Sequence, residues 1–502
     1  MASRLSRREI LSGLGIAALL PKAFCEESEK NLELWDVIVI GAGAAGLAAA
    51  IAARKAGASV LVVEKMSRPG GNSAISTGDM AVCGSPVQKK LGIIDSAEIM
   101  AQDLLRQGRI SDPERCRFVS RGALSAWSWT IHELGVEWER NALQYDAGQS
   151  VPRGHMMHPR SGATLIAAEL TRTEALKIEI RTGVMMLDIL RDPVSGTAVG
   201  IVAAQSSSTG TRNSLETVIL GARRGVVLAF GGFGADAALR GSLNPRMGRG
   251  VQTTNQPGAT GEAILAAKRA GCRLIGMEHI QALPFVAAEE IGIGFAWPFI
   301  EYVTAMKGIW VNDDGKRFIS KTAGQKERAD ALLEIAAQGG RIYGLADERA
   351  FSSTCPDYLG QRNWEESLRR GVIHRYNTLA ELAQDFDIPA AALESTIKEF
   401  NLSCIEGKDV FGRSYKEARP LVEPPWYLIE IQAKAHHTMG GIAIKPAGEA
   451  VDASGRIIAG LFAAGESTGG LFGVERIPSH SLTDALVTGL SAGRLAARRI
   501  SP

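Results

Sequence analysis

The alternation of apolar and polar positions divides the chain into recognisable elements. A β-branched run, Val37 to Ile40, stops at Gly41; an Ala-rich helical segment follows, then a second apolar run from Val60 to Val63 that ends on Glu64. Residues 87–140 carry apolar side chains at helical spacing, as in Ala97-Ala101-Leu104-Leu105 and Phe118-Ala123-Trp127-Ile131. From Ile178 to Val202 the period becomes that of β-strands, and the polar stretch from Ser206 to Ser214 reads as a hairpin tip. Gly225 to Gly234 predicts an apolar strand ending in a glycine turn, and Ala263 to Gly271 a helix. Beyond Met277 the character changes: a strand from Ile309 runs into an Asp313-Asp314-Gly315 turn, and helical patterns cover Ala329–Ala337, Thr378–Phe386 and Ala391–Phe400. The first pattern then resumes, with glycine-punctuated strands at Ala435–Ile444 and Gly460–Gly470 and a last helix opening near Ser481. The expected organisation is an α/β chain of four segments: a leader over 1–30, a first domain over 34–276, an inserted α+β domain over 277–434, and the rest of the first domain over 435–502.

Bulk composition narrows the partners more than the chemistry. The 502 residues are 45% hydrophobic and 22% charged, ordinary for a globular chain of more than one domain, and the formal charge of +2 gives no reason to expect nucleic acid. The six cysteines are scattered, with no C-x-x-C, so zinc, a redox dithiol and covalent c-type haem are not indicated and mostly inert, buried thiols are expected. Ser6-Arg7-Arg8-Glu9-Ile10-Leu11 resembles a twin-arginine export signal, and the apolar run behind it is too short to span a bilayer. Export of the folded chain by the twin-arginine machinery to the periplasm is the expectation, with cleavage near Cys25. Phe24 in place of a small residue argues against a lipid anchor there.

The most specific chemistry lies between Trp35 and Gly78. Gly41, Gly43 and Gly46 form G-x-G-x-x-G between a strand and a helix, and Glu64 ends the next strand. In that context Gly41 makes the tight turn, Gly43 lets the backbone approach a pyrophosphate, and Gly46 lets helix and strand pack closely. The helix N-terminus supplies N–H groups and a positive dipole end, and Glu64 is placed to accept ribose hydroxyls. Gly70-Gly71-Asn72-Ser73 adds a second glycine-rich turn suited to a flat ligand. Arg153 and His155, in a polar loop, are open to either a site-facing or a solvated reading.

Eight stretches occur in order: GAGAAGLAAAIAA, PGGNSAISTG, VVLAFGGFG, TTNQPGATGEA, GIWVNDDGKRF, HHTMGGIAI, GLFAAGESTGGLFG and SLTDALVTG. Together they resemble the fumarate reductase and succinate dehydrogenase flavoprotein superfamily, nearest its soluble periplasmic branch of flavocytochrome c type fumarate reductases and urocanate reductases. The resemblance implies a Rossmann-like FAD-binding domain of glutathione-reductase type, split by a capping (clamp) domain. It implies non-covalent FAD and a small unsaturated carboxylate substrate. Having no haem domain of its own, the chain would draw electrons from a separate protein, cytochrome or quinol-linked. The cofactor residues it implies are Gly41, Gly43, Ala45, Gly46, Glu64, Lys65, Gly71, Asn72, Ser73, Thr77, Gly78, Gly231, Gly232, His437, Glu466, Ser481 and Leu482. The helix opening at Ser481-Leu482 would aim its positive end at the flavin N1/C2=O edge and stabilise the anionic reduced form.

The catalytic positions match only in part. His436 and Arg476 fall on the carboxylate-binding histidine and arginine, and a guanidinium grips a carboxylate with two parallel hydrogen bonds. Leu283 replaces the second substrate histidine, Gln325 falls on the proton-donating arginine, and Thr304 on that arginine's relay partner, while the relay's acid matches Glu301. Glutamine is no acid, so the proton is expected from Arg328, Tyr302 or Lys326. Leu283 removes a polar holder for a second carboxylate, which points to an enoate other than fumarate. Two other readings stay open: a flavin-dependent desaturase like the ketosteroid dehydrogenases, and a flavin electron-transfer partner without substrate chemistry.

Overall fold

The computed structural model describes residues 33–206, 215–320, 323–353, 362–407, 410–411 and 419–500. The export signal expected over 1–30 and most of the expected hairpin tip, residues 207–214, lie outside the described residues.

In chain order, β1 (Glu33–Ile40), α1 (Ala44–Lys55) and β2 (Val60–Glu64) form the predicted strand–turn–helix–strand. Then come β3 (Asp79–Ala81), α2 (Ala97–Gly108), α3 (Pro113–His132), β4 (Gly154–Met156), α4 (Gly162–Ala175) and β5 (Glu179–Thr182). The meander β6 (Val184–Arg191), β7 (Ala198–Ser206) and β8 (Leu215–Leu228) is antiparallel throughout, followed by α5 (Glu262–Arg269). Next are β9 (Ile280–Ala287), a π-helix (Phe299–Ala305), β10 (Ile309–Asn312), α6 (Gln325–Ala337), β11 (Ile342–Asp347), β12 (His374–Tyr376) and α7 (Ala390–Glu406). The last elements are β13 (Trp426–Thr438), β14 (Glu449–Val451), β15 (Ile457–Ala463) and α8 (His480–Arg498).

Two compact units result. The first comprises Met1–Leu243, Gln256–Ile280 and His437–Pro502; the second comprises Asn244–Asn255 and Gln281–His436. The insertion expected over 277–434 and the second unit overlap over most of their length. The differences are residues 277–280, which group with the first unit, residues 435–436, which group with the second, and Asn244–Asn255, expected in the first domain, which groups with the second unit, where Thr253 and Thr254 bond Ala435.

The first unit is built on a sheet of order β14-β15-β8-β1-β2-β5, with β7 on β8 and β6 on β7. Its centre is parallel: β1 pairs with β2 and with β8, and β8 with β15. Val37, Ile38 and Val39 are each 0% exposed, as apolar runs covered on both faces must be. Helices α1 and α8 cross over small residues. A Cβ at Gly489 would lie 2.4 Å from Ala45 O and one at Gly493 2.1 Å from Ala49 O, so these glycines set the closeness of approach. The second unit carries an antiparallel sheet of order β9-β13-β11-β10, with β12 on β13; α7 supplies Leu393, Ile397 and Phe400 to its core. The D-D-G turn forms as expected: Gly315 takes φ +74° and Val311 bridges back to Arg317.

Candidate active site

Two kinds of glycine meet at the end of β1. A Cβ at Gly41 (φ +98°) would sit 2.5 Å from Ala229 O, and one at Gly46 1.9 Å from Gly41 O, so both are held by backbone. Gly43 differs: its Cβ would meet nothing nearer than 3.7 Å, that of Gly71 (φ +54°) nothing nearer than 4.0 Å, and that of Gly231 (φ +81°) nothing within 4 Å. These three leave open the space a flat polyphosphate ligand needs. α1 begins after Gly43 with no side-chain cap, and the N–H groups of its first turn, Ala45 and Gly46 among them, have no acceptor inside the helix. Ser73 Oγ accepts from Ala44 N at 3.3 Å and ties the second glycine turn to that end. The Glu64 carboxylate accepts from Ala42 N and Met66 N, both at 2.9 Å; each oxygen keeps a second lone pair for a ribose hydroxyl. Lys65 bonds Glu262 and Thr260, while Thr77 bonds Asp79, which Arg160 grips with two nitrogens. A Cβ at Gly78 (φ +80°) would meet Ser161 C at 2.6 Å, so Thr77 and Gly78 shape the turn through their own bonds and backbone.

A second group forms around Glu466. Its carboxylate accepts Thr438 N (3.0 Å) and Thr438 Oγ1 (3.2 Å) and lies 3.5 Å from His437 Nδ1. Gly232 makes room: a Cβ there would be 2.1 Å from Thr438 Oγ1 and 2.4 Å from Glu466 Oε1. Asn72 accepts Gln256 N at 3.0 Å and also bonds Glu466. Burial raises the Glu466 carboxyl and lowers Arg476 to about 10, so the guanidinium remains charged at neutral pH. Arg476 Nη1 donates to Ser481 Oγ at 3.2 Å, in the first turn of α8.

That helix end is uncapped. Ser479, at φ +62°, occupies the N-cap, but its hydroxyl goes to Asp146 Oδ2 at 2.6 Å instead of to the helix, and the first turn has no acid. Ser481 and Leu482 therefore lie where the first-turn N–H groups and the dipole favour negative charge. The residues present fit FAD: an open glycine cradle at one helix N-terminus, an acid for the ribose, and an uncapped second N-terminus beside a buried cation.

The second unit holds the remaining candidates. His436 lies on β13 with Nδ1 2.7 Å from Thr254 Oγ1, and Asn255 Nδ2 donates to its carbonyl at 3.1 Å. Leu283 lies on β9, the strand hydrogen-bonded to β13. Glu301 and Tyr302 sit in the π-helix, half-buried, with the Tyr302 ring 6.4 Å from Trp297. Arg328 is only 5% exposed; its guanidinium lies 4.8 Å over the Trp310 ring and Nε donates to Ala323 O at 3.1 Å. Trp310 Nε1 in turn donates to Thr304 Oγ1 at 2.9 Å. Gln325 opens α6, and its buried Nε2 has no partner among the described residues.

Arg153 and His155 are neither solvated nor part of either group. Both are 0% exposed. Arg153 pairs with Asp95 and Asp103, and His155 lies 2.8 Å from Ser85 Oγ, its pKa pushed down to about 4 by burial. The Arg153 charge is paired with acids 58 and 50 positions away in sequence, which no local pattern announces. Asp146, Thr254 and Ser479 escaped sequence reading: lone polar residues in loops carry no periodic signal. Cys83, Cys116 and Cys272 are buried, and burial lifts them to about 11, 12 and 12, consistent with inert thiols. Among the described residues no cluster of metal-binding side chains is present, and no helix is long and apolar enough to cross a membrane.

Comparison with known proteins places this geometry. The model of the FAD binding domain family matches residues 36–482. The acrylate reductase flavoprotein subunit of Shewanella woodyi is 32% identical over 98% of this chain and 98% of its own length. The open conformation of a flavocytochrome c3 fumarate reductase superposes with a TM-score of 0.79 at 28% identity, covering 99% of this chain and 81% of that one. The 3-ketosteroid-Δ4-(5α)-dehydrogenase of Rhodococcus jostii superposes with a TM-score of 0.72 at 25% identity, covering 93% of this chain and 97% of that one. The chain belongs to the FAD binding domain family and is an FAD-dependent oxidoreductase of the fumarate reductase-like group whose named relatives reduce C=C bonds.

Proposed function

We propose that the chain is an exported reductase of the activated C=C bond of a small unsaturated monocarboxylate, with electrons supplied by a separate protein. Non-covalent FAD, when bound, supplies a hydride at its N5 position. The observation that carries the reading is Arg476: a buried guanidinium, still charged at neutral pH, beside an uncapped helix N-terminus with no acid in its first turn. Two sources of positive potential at one place suit an anionic ligand. His436, oriented through Nδ1 by Thr254, is assigned to carboxylate binding on the family resemblance. The apolar Leu283 gives a second carboxylate no partner, which is why fumarate is set aside.

Protonation of the second carbon is assigned to Tyr302, with Glu301 beside it, both half-buried on the π-helix. π-Helical segments are rare and often mark functional sites. Arg328 is the weaker candidate, because its guanidinium is stacked on Trp310 and its Nε is bonded to Ala323 O. Tyr302 and Arg328 separate by experiment, as described below. A separate electron donor fits a relative that is itself named a flavoprotein subunit. Export rests on the Arg7-Arg8 pattern alone. The desaturase reading is favoured by the ketosteroid dehydrogenase superposition; the enzyme's direction decides between the two.

The test is reoxidation. The FAD-loaded protein is reduced anaerobically with dithionite and mixed with acrylate, methacrylate, cinnamate, urocanate and fumarate. Rapid return of the oxidised flavin spectrum with a monocarboxylate, and little with fumarate, is expected. No return with any enoate, together with dye-linked oxidation of a saturated ketone or steroid, would establish the desaturase instead.

A further inference from the structure

The segment Gly465–Gly470, which carries Glu466, is fixed to α8 through side chains that no part of the proposed chemistry uses. At its start Gly465 N donates to Thr488 Oγ1 at 2.9 Å. At its far end Arg115, in the first turn of α3, donates from Nη1 to Gly469 O (2.6 Å) and Thr468 Oγ1 (2.9 Å). The same guanidinium donates from Nη2 to Asp484 Oδ1 at 3.1 Å, and the N-cap of α3 adds Asp112 N to Gly470 O at 2.7 Å. Arg115 and Asp484 are 1% and 3% exposed. Asp484 is the fifth residue of α8, one turn beyond the uncapped end. An unpaired carboxylate there would oppose the positive end that Ser481 and Leu482 offer, and in a buried setting its field is weakly screened.

We propose that the Arg115–Asp484 pair is a positioning device for the flavin: it holds the Glu466 segment against α8 and cancels the Asp484 charge, so that the α8 N-terminus stays electropositive and the flavin potential stays high. The proposal rests on the reading that the α8 N-terminus faces the flavin. Burial raises the Asp484 carboxyl and Arg115 opposes that rise, as the pairing requires.

The midpoint potential of the FAD-loaded full chain, measured by equilibration with reference dyes, tests it alongside the FAD dissociation constant. Asp484→Asn removes the acid and leaves Arg115, so the potential rises; Arg115→Gln leaves the acid unpaired, and because burial raises that carboxyl the fall in potential is read as the pH is raised and the carboxylate forms. Each shift is expected near a tenfold change in the oxidised-to-reduced ratio at fixed potential, about 30 mV for a two-electron couple. The double variant returns most of the way to the parent. A merely structural pair would weaken FAD binding in both single variants without moving the potential in opposite directions, and that result overturns the proposal. If Arg115→Gln fails to fold, Asp484→Asn decides alone: a potential unchanged or lowered overturns it. Ser481→Asp is the control for the helix reading. If it lowers the potential while Asp484→Asn leaves it unmoved, the helix faces the flavin and the pair does not tune it. If Ser481→Asp shifts nothing, the helix reading fails and takes this proposal with it.

Discussion

The two units hold their candidate residues by different means. In the first, the ligand surface is mostly backbone: glycines that leave space at Gly43, Gly71 and Gly231 and helix N-termini at Ala44 and His480, with Glu466 bonded to Thr438 and one buried cation, Arg476, beside the second helix end. In the second, the candidates are side chains on a sheet and a π-helix: His436, Leu283, Tyr302 and the Trp310–Arg328 stack. A backbone surface tolerates change at few positions, because a Cβ at Gly41 or Gly46 collides with main chain. A side-chain surface can be rebuilt one residue at a time, and Leu283, Thr304 and Gln325 are the positions where the family resemblance implies a departure from the fumarate reductase pattern. On the proposed function, the first unit holds the cofactor and the carboxylate-binding Arg476, and discrimination between substrates falls to side chains of the second.

The strongest break of that division is Gly46→Val. Its Cβ would fall 1.9 Å from Gly41 O, so the variant should purify without flavin or not fold, as read by the flavin absorbance of the purified protein. Arg476→Met comes next. It should keep FAD and lose roughly a thousandfold in kcat/KM with a reduced viologen as donor, since truncating one partner of a buried charge-assisted contact costs on the order of 2–5 kcal/mol. With the parent enzyme, the same group predicts a KM that is flat from pH 7 to 9 and rises as the guanidinium deprotonates near pH 10, because only the cation binds the carboxylate.

Smaller effects sharpen the substrate side. Tyr302→Phe should slow turnover by about a hundredfold or more, the usual worth of a positioned acid, while Arg328→Gln should chiefly lower the melting temperature through the lost Trp310 stack. The opposite pattern would move the acid to Arg328. Thr254→Val frees the His436 ring from its 2.7 Å partner and should raise KM about tenfold with little change in flavin content.

Much of the first unit was legible in the sequence. The strand, glycine turn and helix from Trp35 onward appear where the apolar period and glycine spacing place them, because that geometry depends on residues near one another in the chain. The helices expected at Ala329–Ala337 and Thr378–Phe386 form as Gln325–Ala337 and Leu379–Asp385, the second with a Thr378–Glu381 capping box. What stayed hidden depends on partners distant in sequence. Arg115 and Asp484 are 369 positions apart, Thr254 and His436 182, and Ser479 and Asp146 333. No local pattern announces such pairs. The grouping of Asn244–Asn255 with the second unit was hidden for the same reason, since it follows from bonds to Ala435. The π-helix around Tyr302 has no compositional signature and surfaced only as geometry.

The division of labour between the units is tested most directly by Leu283→His. The variant places a polar side chain at the position that the family resemblance assigns to the holder of a second carboxylate. The measurement is the ratio of kcat/KM for the preferred monocarboxylate enoate to that for fumarate, taken with the flavin spectrum and midpoint potential of the same preparation. The account predicts a ratio at least tenfold lower than in the parent, about 1.4 kcal/mol of changed discrimination, with spectrum and potential unmoved. An unchanged ratio, or a change accompanied by an equal disturbance of the flavin, would contradict it.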